Sequence, residues 1–302
     1  MLAVSNMSAI EIGPTGSGVE MSGFIDLYYQ SKDSAGSDSS GVGQVEIMFD
    51  YASGPVSASV DIDFGGNNAA PDNLEEAIVT YDFGNGASVT VGKMLSYLGF
   101  EAYDPINMYQ YSYAYEDGTG SQMIYDPYAT GASVDYGSDM FSIGVWSSLT
   151  NSPDLEYALA FTGVENLTVK AIIADYGKDS ITSTGYKGKS TYWASYQLGK
   201  LLLAAEVAEA EGATAAGTDL EGMLLMANYG ITDKVGLTLR YSEFESTTGI
   251  AKDFDIEKIT VSPSYVFNDN FSGLVEYSTY DEGVAGATKP TDFVAVELIY
   301  TF

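Results

Sequence analysis

The chain has 302 residues, with 42 acidic against 12 basic side chains, a formal charge of −30, and neither Cys nor His. That balance excludes a nucleic-acid binder, because no basic patch can neutralise phosphates, and it excludes docking on anionic lipid through a polybasic face. The missing imidazole and thiol exclude Ser-His-Asp and Cys-His catalysis and imidazole zinc centres, so no enzyme is expected. Hydrophobic residues make up 45% of the chain, with 33 Gly, 24 Tyr and 13 Phe, which rules against disorder. No run of about 20 apolar residues exists for a helical membrane span.

Taken in chain order, Asn6-Met7-Ser8-Ala9 looks like the small-residue end of a signal peptide, with an expression start as the alternative. Residues 1–17 are therefore read as a leader remnant or N-terminal segment, and 18–302 as one domain. From there the dominant signal is alternation. Val45, Ile47, Phe49 and Tyr51 alternate with mostly polar neighbours, and Ala58, Val60, Ile62 and Phe64 alternate with Ser57, Ser59, Asp61 and Asp63. A period of two gives each segment one greasy and one wet face. The pattern places strands near 19–30, 42–52, 55–64, 73–83, 86–95, 127–136, 139–149 and 154–162. It continues at 166–176, 189–198, 200–210, 219–229, 234–244, 256–267, 270–280 and 291–302. Connections alternate between short turns such as Ser53-Gly54 and Asn268-Asp269 and longer loops at 31–41, 65–72, 96–126, 177–188, 211–218, 245–255 and 281–290.

Strands of 9–11 residues suit a tilted crossing of a bilayer, and backbone groups in hydrocarbon force such a sheet to close. Tyr51, Phe64, Tyr81, Phe83, Tyr136, Phe161, Tyr229, Tyr241, Phe267 and Tyr300 fall on the apolar face, mostly near strand ends, as interfacial girdles require. The fold expected is all-β: a transmembrane antiparallel up-and-down barrel of about 16 strands, rather than a soluble secreted β protein. Val294, Val296, Leu298, Tyr300 and the last residue Phe302 share one face. This terminal strand resembles the recognition signal read by the barrel assembly machinery of the bacterial outer membrane.

A further stretch is more specific. Glu76-Ala77-Ile78-Val79-Thr80-Tyr81, Val91-Gly92-Lys93-Met94 and Leu98-Gly99-Phe100-Glu101 lead into Asp104-Pro105-Ile106-Asn107 and Tyr111-Ser112-Tyr113. Together with Ser22-Gly23-Phe24-Ile25-Asp26-Leu27-Tyr28-Tyr29, this resembles the OmpL-like β-barrel porin family. Met94 stands where the family has an aromatic after the lysine. The resemblance implies a barrel for passive diffusion of small hydrophilic solutes. Sixteen-stranded barrels of this architecture are commonly homotrimers.

By strand parity the lumen receives Glu46, Asp50, Asp61, Asp63, Glu76, Asp82, Asp135, Glu276 and Glu297, together with Lys170, Arg240 and Lys258. Asp26, Glu156, Glu206 and Lys200 follow the same parity. Acid so outnumbers base there that the pore is expected to prefer cations. The long segment after the fifth strand is rich in Tyr, and it is expected to fold inward. Glu101, Asp104, Tyr109, Tyr111, Tyr113, Glu116 and Asp117 would then stand at the constriction. No metal or cofactor is expected, although the acid clusters Asp33 to Asp38 and Asp154 to Glu156 have the oxygen chemistry for calcium; solvated carboxylates are the favoured reading. The competing function is a structural or adhesive envelope barrel with a closed lumen.

Overall fold

The computed structural model describes residues 9–302 apart from 15, 34–36, 66–72, 102, 117–122, 178–184, 215–216 and 285–286. Its strands are β1 (Ile10–Glu11), β2 (Val19–Lys32), β3 (Ser37–Ser53), β4 (Val56–Asp63), β5 (Leu74–Asp82) and β6 (Ala87–Met94). Then come β7 (Ala129–Gly137), β8 (Phe141–Ser148), β9 (Leu155–Val164), β10 (Leu167–Asp175), β11 (Tyr186–Leu198) and β12 (Leu201–Gly212). The last are β13 (Thr218–Gly230), β14 (Val235–Thr248), β15 (Ala251–Asn268), β16 (Phe271–Val284) and β17 (Ala287–Thr301). From β2 onward each strand pairs antiparallel with the next, and β17 returns to β2 from Phe293↔Lys32 to Thr301↔Phe24. The result is a closed barrel of 16 strands, β2–β17. β1 lies in the N-terminal segment and pairs with β2 through Ile10↔Met21 and Glu11↔Glu20.

Alternation decides which face meets lipid. Val79, Tyr81, Val91, Val134, Leu159, Leu225 and Tyr300 are among the exposed apolar residues, and they share the outward parity. The lower rim carries the short turns and an aromatic girdle. Tyr81–Phe83, Tyr265–Phe267 and Phe267–Phe271 lie with ring centroids 5.0, 5.0 and 4.8 Å apart. Amphipathic rings favour that boundary because one end is wetted while the body stays in hydrocarbon. The tightest turns use left-handed backbone, with φ +59° at Gly199 and +63° at Gly249.

The strands are of unequal height. β4–β10 are 8–10 residues long, enough for the bilayer alone. β13–β17 run to 13–18 residues, and at about 3.3 Å per residue they rise well beyond the hydrocarbon. This corrects the loop boundaries: 245–255 and 281–290 are mostly strand, the first closed by a turn at 249–250, and 31–41 and 211–218 shrink in the same way. Those strand tops face water on the outside, so segments such as Glu243 to Thr248 carry no apolar stripe for a period-two reading to find.

Candidate functional site

Residues 95–128 connect β6 to β7, and the described ones among them fold into the lumen rather than over the rim. The segment enters along the wall: Ser96 Oγ and the Tyr97 amide donate to Glu156 at 3.0 and 2.9 Å. The Gly99 amide donates to Thr191 Oγ1 at 3.1 Å, and the Phe100 ring meets Trp193 edge-on at 5.6 Å. Tyr115, Ile124 and Tyr125 form, with Leu220, Leu224 and Phe244, a buried cluster between loop and wall. Tyr115 lies flat against Gly222, where an added Cβ would stand 2.5 Å from its ring. A short 3-10 turn, Pro105–Asn107, puts Ile106 onto Phe24 and Ile299.

Ionic anchors hold the loop to the tall wall. Arg240 Nη1 lies 2.5 Å from Glu101 Oε1 and donates to the Ser112 carbonyl at 2.6 Å, and its other nitrogen reaches Ser112 Oγ at 3.0 Å. Lys258 Nζ pairs with Glu116 at 2.7 Å and donates to the Tyr113 carbonyl at 2.5 Å. Lys189 Nζ pairs with Asp126 at 2.7 Å. Glu276 accepts from the Ser112 amide at 2.9 Å and its hydroxyl at 2.6 Å. Tyr125 donates to Glu206, and Tyr176 donates to Asp126. Among the described residues, the fully buried cations of the wall therefore each face a carboxylate of the loop. Such pairs gain their strength from bidentate or multiple hydrogen bonds inside a low dielectric.

The opposite side is acidic. Asp104 of the loop, Glu46 of β3 and Glu75 of β5 bring carboxylate oxygens within 4.8 Å of one another. Gln44 Nε2 donates to Glu46 at 3.0 Å and Glu75 at 3.2 Å. Asp61 and Glu76 stand opposite each other in the β4–β5 ladder, with Asp63 two residues along β4. Burial raises the Asp104 carboxyl above the ordinary carboxylate range, while hydrogen bonds from Tyr128 and Asn107 work against that rise. Nearer the lower rim, Glu20, Asp50, Ser57 and Ser59 line a vestibule of about 580 Å³.

Several residues expected at the lumen stand where parity puts them but under the loop. Arg240, Lys258, Glu276 and Glu297 are all at most 2% exposed. Asp135 accepts from Tyr97 and Ser133 at 2.7 and 2.6 Å, and Lys170 sits 5.6 Å over the Trp193 ring. Asp82 caps the Gly84 turn at the lower rim. Lys200 is corrected: it pairs with Asp233 on the rim at 3.2 Å, outside the lumen. In the loop, Tyr109 offers its carbonyl to Thr238, Tyr113 donates to the Tyr103 carbonyl, and Tyr111 stacks on Phe293 at 6.1 Å. Asp117 and part of Asp33 to Asp38 lie outside the described residues. Asp154 accepts from the Gly177 amide at 2.9 Å. Parity missed Glu75, because a β-bulge between Asp61 and Ile62 shifts the β4–β5 register there. Lys189 shared the inward parity of Thr191, and its partner Asp126 was readable only as a loop carboxylate.

A family model described as "Putative beta-barrel porin-2, OmpL-like" matches residues 18–302. The chain belongs to that family. This porin is accordingly a β-barrel of the bacterial outer membrane. No protein of curated function matches it. Solved structures share its fold at low identity. OmpT of Vibrio cholerae in trimer form has a TM-score of 0.68 at 13% identity, over 94% of this chain and 99% of that one. An anion-selective porin from Comamonas acidovorans gives 0.69 at 15%, over 94% and 99%. OmpF of Salmonella typhi, in complex with daunomycin, gives 0.69 at 16%, over 97% and 100%. The porin fold thus coexists with anion selectivity in one neighbour, so any charge preference here has to be argued from side chains.

Proposed function

We propose that this porin is a water-filled, cation-preferring channel for passive diffusion of small hydrophilic solutes, without catalytic activity. The observation that carries the reading is the division of charge in the lumen. Arg240, Lys258 and Lys189 are each paired with a loop carboxylate, while Glu46, Glu75 and Asp104 crowd together beside Asp61, Asp63 and Glu76. A permeating ion would therefore meet an excess of carboxylates over the one nearby cation, Lys93 beside Glu75, and low-dielectric walls enlarge their potential. The narrowest point would lie where Asp104 approaches the β3–β5 wall, above the vestibule around Asp50. The trimeric form of OmpT supports a homotrimer embedded in outer-membrane lipid, and the terminal strand ending on Phe302 supports insertion by the barrel assembly machinery. The test is the reversal potential of single channels in planar bilayers under a KCl gradient. Cation preference is expected, and it should weaken in a Glu46→Gln, Glu75→Gln, Asp104→Asn variant. Anion preference would overturn the selectivity, and a silent bilayer would favour a closed structural barrel.

A further inference from the structure

On the outside of the tall wall, an apolar groove and an acidic pocket lie one above the other. The groove crosses β11–β15. Ala194, Ala205 and Ala227 form its floor, and Tyr196, Leu203, Leu225 and Tyr241 stand around it. Ala194 and Ala205 are ladder partners, as are Leu203 and Ala227. Three methyl groups set among long side chains leave a groove of about 700 Å³. Leu203, Leu225 and Leu239 are exposed along it, so it belongs to the apolar band that meets hydrocarbon.

The acidic pocket, of about 260 Å³, starts at the next outward residues, Val207 and Met223, and is walled by Glu209, Glu221, Glu243, Glu245 and Asp255. Two residues of strand separate Ala205 from Val207 and Leu225 from Met223, a rise of about 7 Å. Tyr241 marks the boundary: its ring lines the groove and its hydroxyl donates to Glu243. That is the placement of an amphipathic ring at the level of lipid headgroups. Lys252 lies 2.8 Å from Glu245 and Asp255. Among the described residues, no basic side chain pairs with Glu209, Glu221 or Glu243, and Glu209 and Glu221 face each other directly in the β12–β13 ladder.

At hydrocarbon depth the groove is covered by an acyl chain or by another barrel. A second copy would lay the surface of another chain of charge −30 against the carboxylates above the groove, and like charges juxtaposed across an interface oppose binding. A lipid with an anionic headgroup meets the same repulsion. A positive headgroup is attracted instead, at the height where the carboxylates stand.

We propose that groove and pocket together bind one outer-leaflet lipid with a cationic ammonium headgroup. Its acyl chain covers Ala194, Ala205 and Ala227, and its ammonium lies among Glu209, Glu221 and Glu243. Bound there, it relieves the repulsion between carboxylates of neighbouring strands and stabilises the tall wall. The proposal does not depend on whether the barrel conducts.

The experiment uses the full chain folded in non-ionic detergent with chelator present. It is titrated with two lipids that share dioleoyl chains, one with a trimethylammonium headgroup and one with a phosphatidylglycerol headgroup. Native mass spectrometry counts the lipids retained. One cationic lipid per chain should be held at least tenfold more tightly than the anionic lipid, and it should raise the unfolding temperature of the barrel. Ala205→Trp fills the groove floor from the lipid side and should abolish that tightly held molecule. Val91→Trp, on the outward face of β6, should keep it. The Glu209→Gln, Glu221→Gln, Glu243→Gln variant should bring the two lipids within threefold of each other. Equal affinity for both lipids in the unmodified chain, or tight binding that survives Ala205→Trp, overturns the proposal. So does an anionic lipid held more tightly than the cationic one once Mg²⁺ replaces the chelator, since a metal-bridged phosphate would then be the occupant. A change of oligomeric state in Ala205→Trp also overturns it, in favour of a second copy. If Ala205→Trp does not fold, Ala227→Leu takes its place.

Discussion

Removing Arg240 should release the loop while leaving the barrel closed. The guanidinium is fully buried, pairs with Glu101 at 2.5 Å and also donates to the Ser112 carbonyl at 2.6 Å. Arg240→Ala therefore strands a buried carboxylate as well as a carbonyl. Breaking a buried pair by deleting one partner costs about 3–5 kcal/mol. At 1.4 kcal/mol per decade, the opening equilibrium of the loop shifts by roughly two to three and a half orders of magnitude. The β13–β14 and β14–β15 ladders use backbone hydrogen bonds that this side chain does not make. Hydrogen exchange in detergent should then show protection at the Ser112 and Ala114 amides falling by that factor, while ladder amides keep theirs. Those two amides donate to Glu276 and Glu101 at 2.9 and 2.8 Å. Combining Arg240→Met with Glu101→Gln removes both charges and should restore most of the protection. Unchanged exchange at Ser112 and Ala114, or a double variant no better protected than Arg240→Ala, would refute the anchoring role.

Two further outcomes follow from the same geometry. Gly222→Ala puts a methyl 2.5 Å from the Tyr115 ring, so overpacking should cost about 1–3 kcal/mol of loop docking; it is read as faster exchange at 112–115 and noisier single-channel current, and an unaltered loop would contradict the contact. Because burial holds Asp104 above the usual carboxylate range, it gains its proton before exposed carboxylates near pH 4 do as the solution is acidified. That removes a negative charge from the lumen, so the proposed cation preference should begin to decline at a pH above that at which exposed carboxylates protonate. Asp104→Asn should flatten that part of the reversal-potential profile; a profile equally steep in the variant counts against the assignment.

Much of the barrel was legible because two simple signals agree. Alternation in Val45 to Tyr51 or Val294 to Phe302 fixes parity, and the short turns at Gly54, Gly199 and Asp269 mark one rim. The inward loop was foreshadowed by its tyrosines, and Tyr115 and Tyr125 are indeed fully enclosed. The identity of its partners was less accessible. Glu101 and Arg240 are 139 residues apart, and nothing local pairs them. Parity also treats every inward residue alike. It could not separate Glu46, beside other carboxylates, from Glu276, which is held by Ser112 and Ser278. The bulge that rotates Glu75 toward Gln44 breaks the rule on which parity rests, and the tall strand tops lack the apolar stripe that the rule detects.

The charge of −30 has two separate homes, and only one bears on permeation. On the outside of the tall strands, Glu209, Glu221, Glu245 and Asp255 stand directly opposite one another in successive ladders. Glu243, Glu257 and Asp281 form the next row. Like charges so placed destabilise a sheet, and the wall offsets part of this with Lys252, 2.8 Å from both Glu245 and Asp255. These carboxylates rise above the apolar band into solvent, where salt screens them beyond about 10 Å. Their field therefore reaches the lumen weakly, whereas Glu46, Glu75 and Asp104 act inside a low-dielectric wall at contact distance. A porin of the same fold could carry this acidic exterior and still prefer anions. The proposed cation preference rests on the loop having taken up the cations of the facing wall, which leaves Lys93 as the cation beside Glu75 against the more numerous β3–β5 carboxylates.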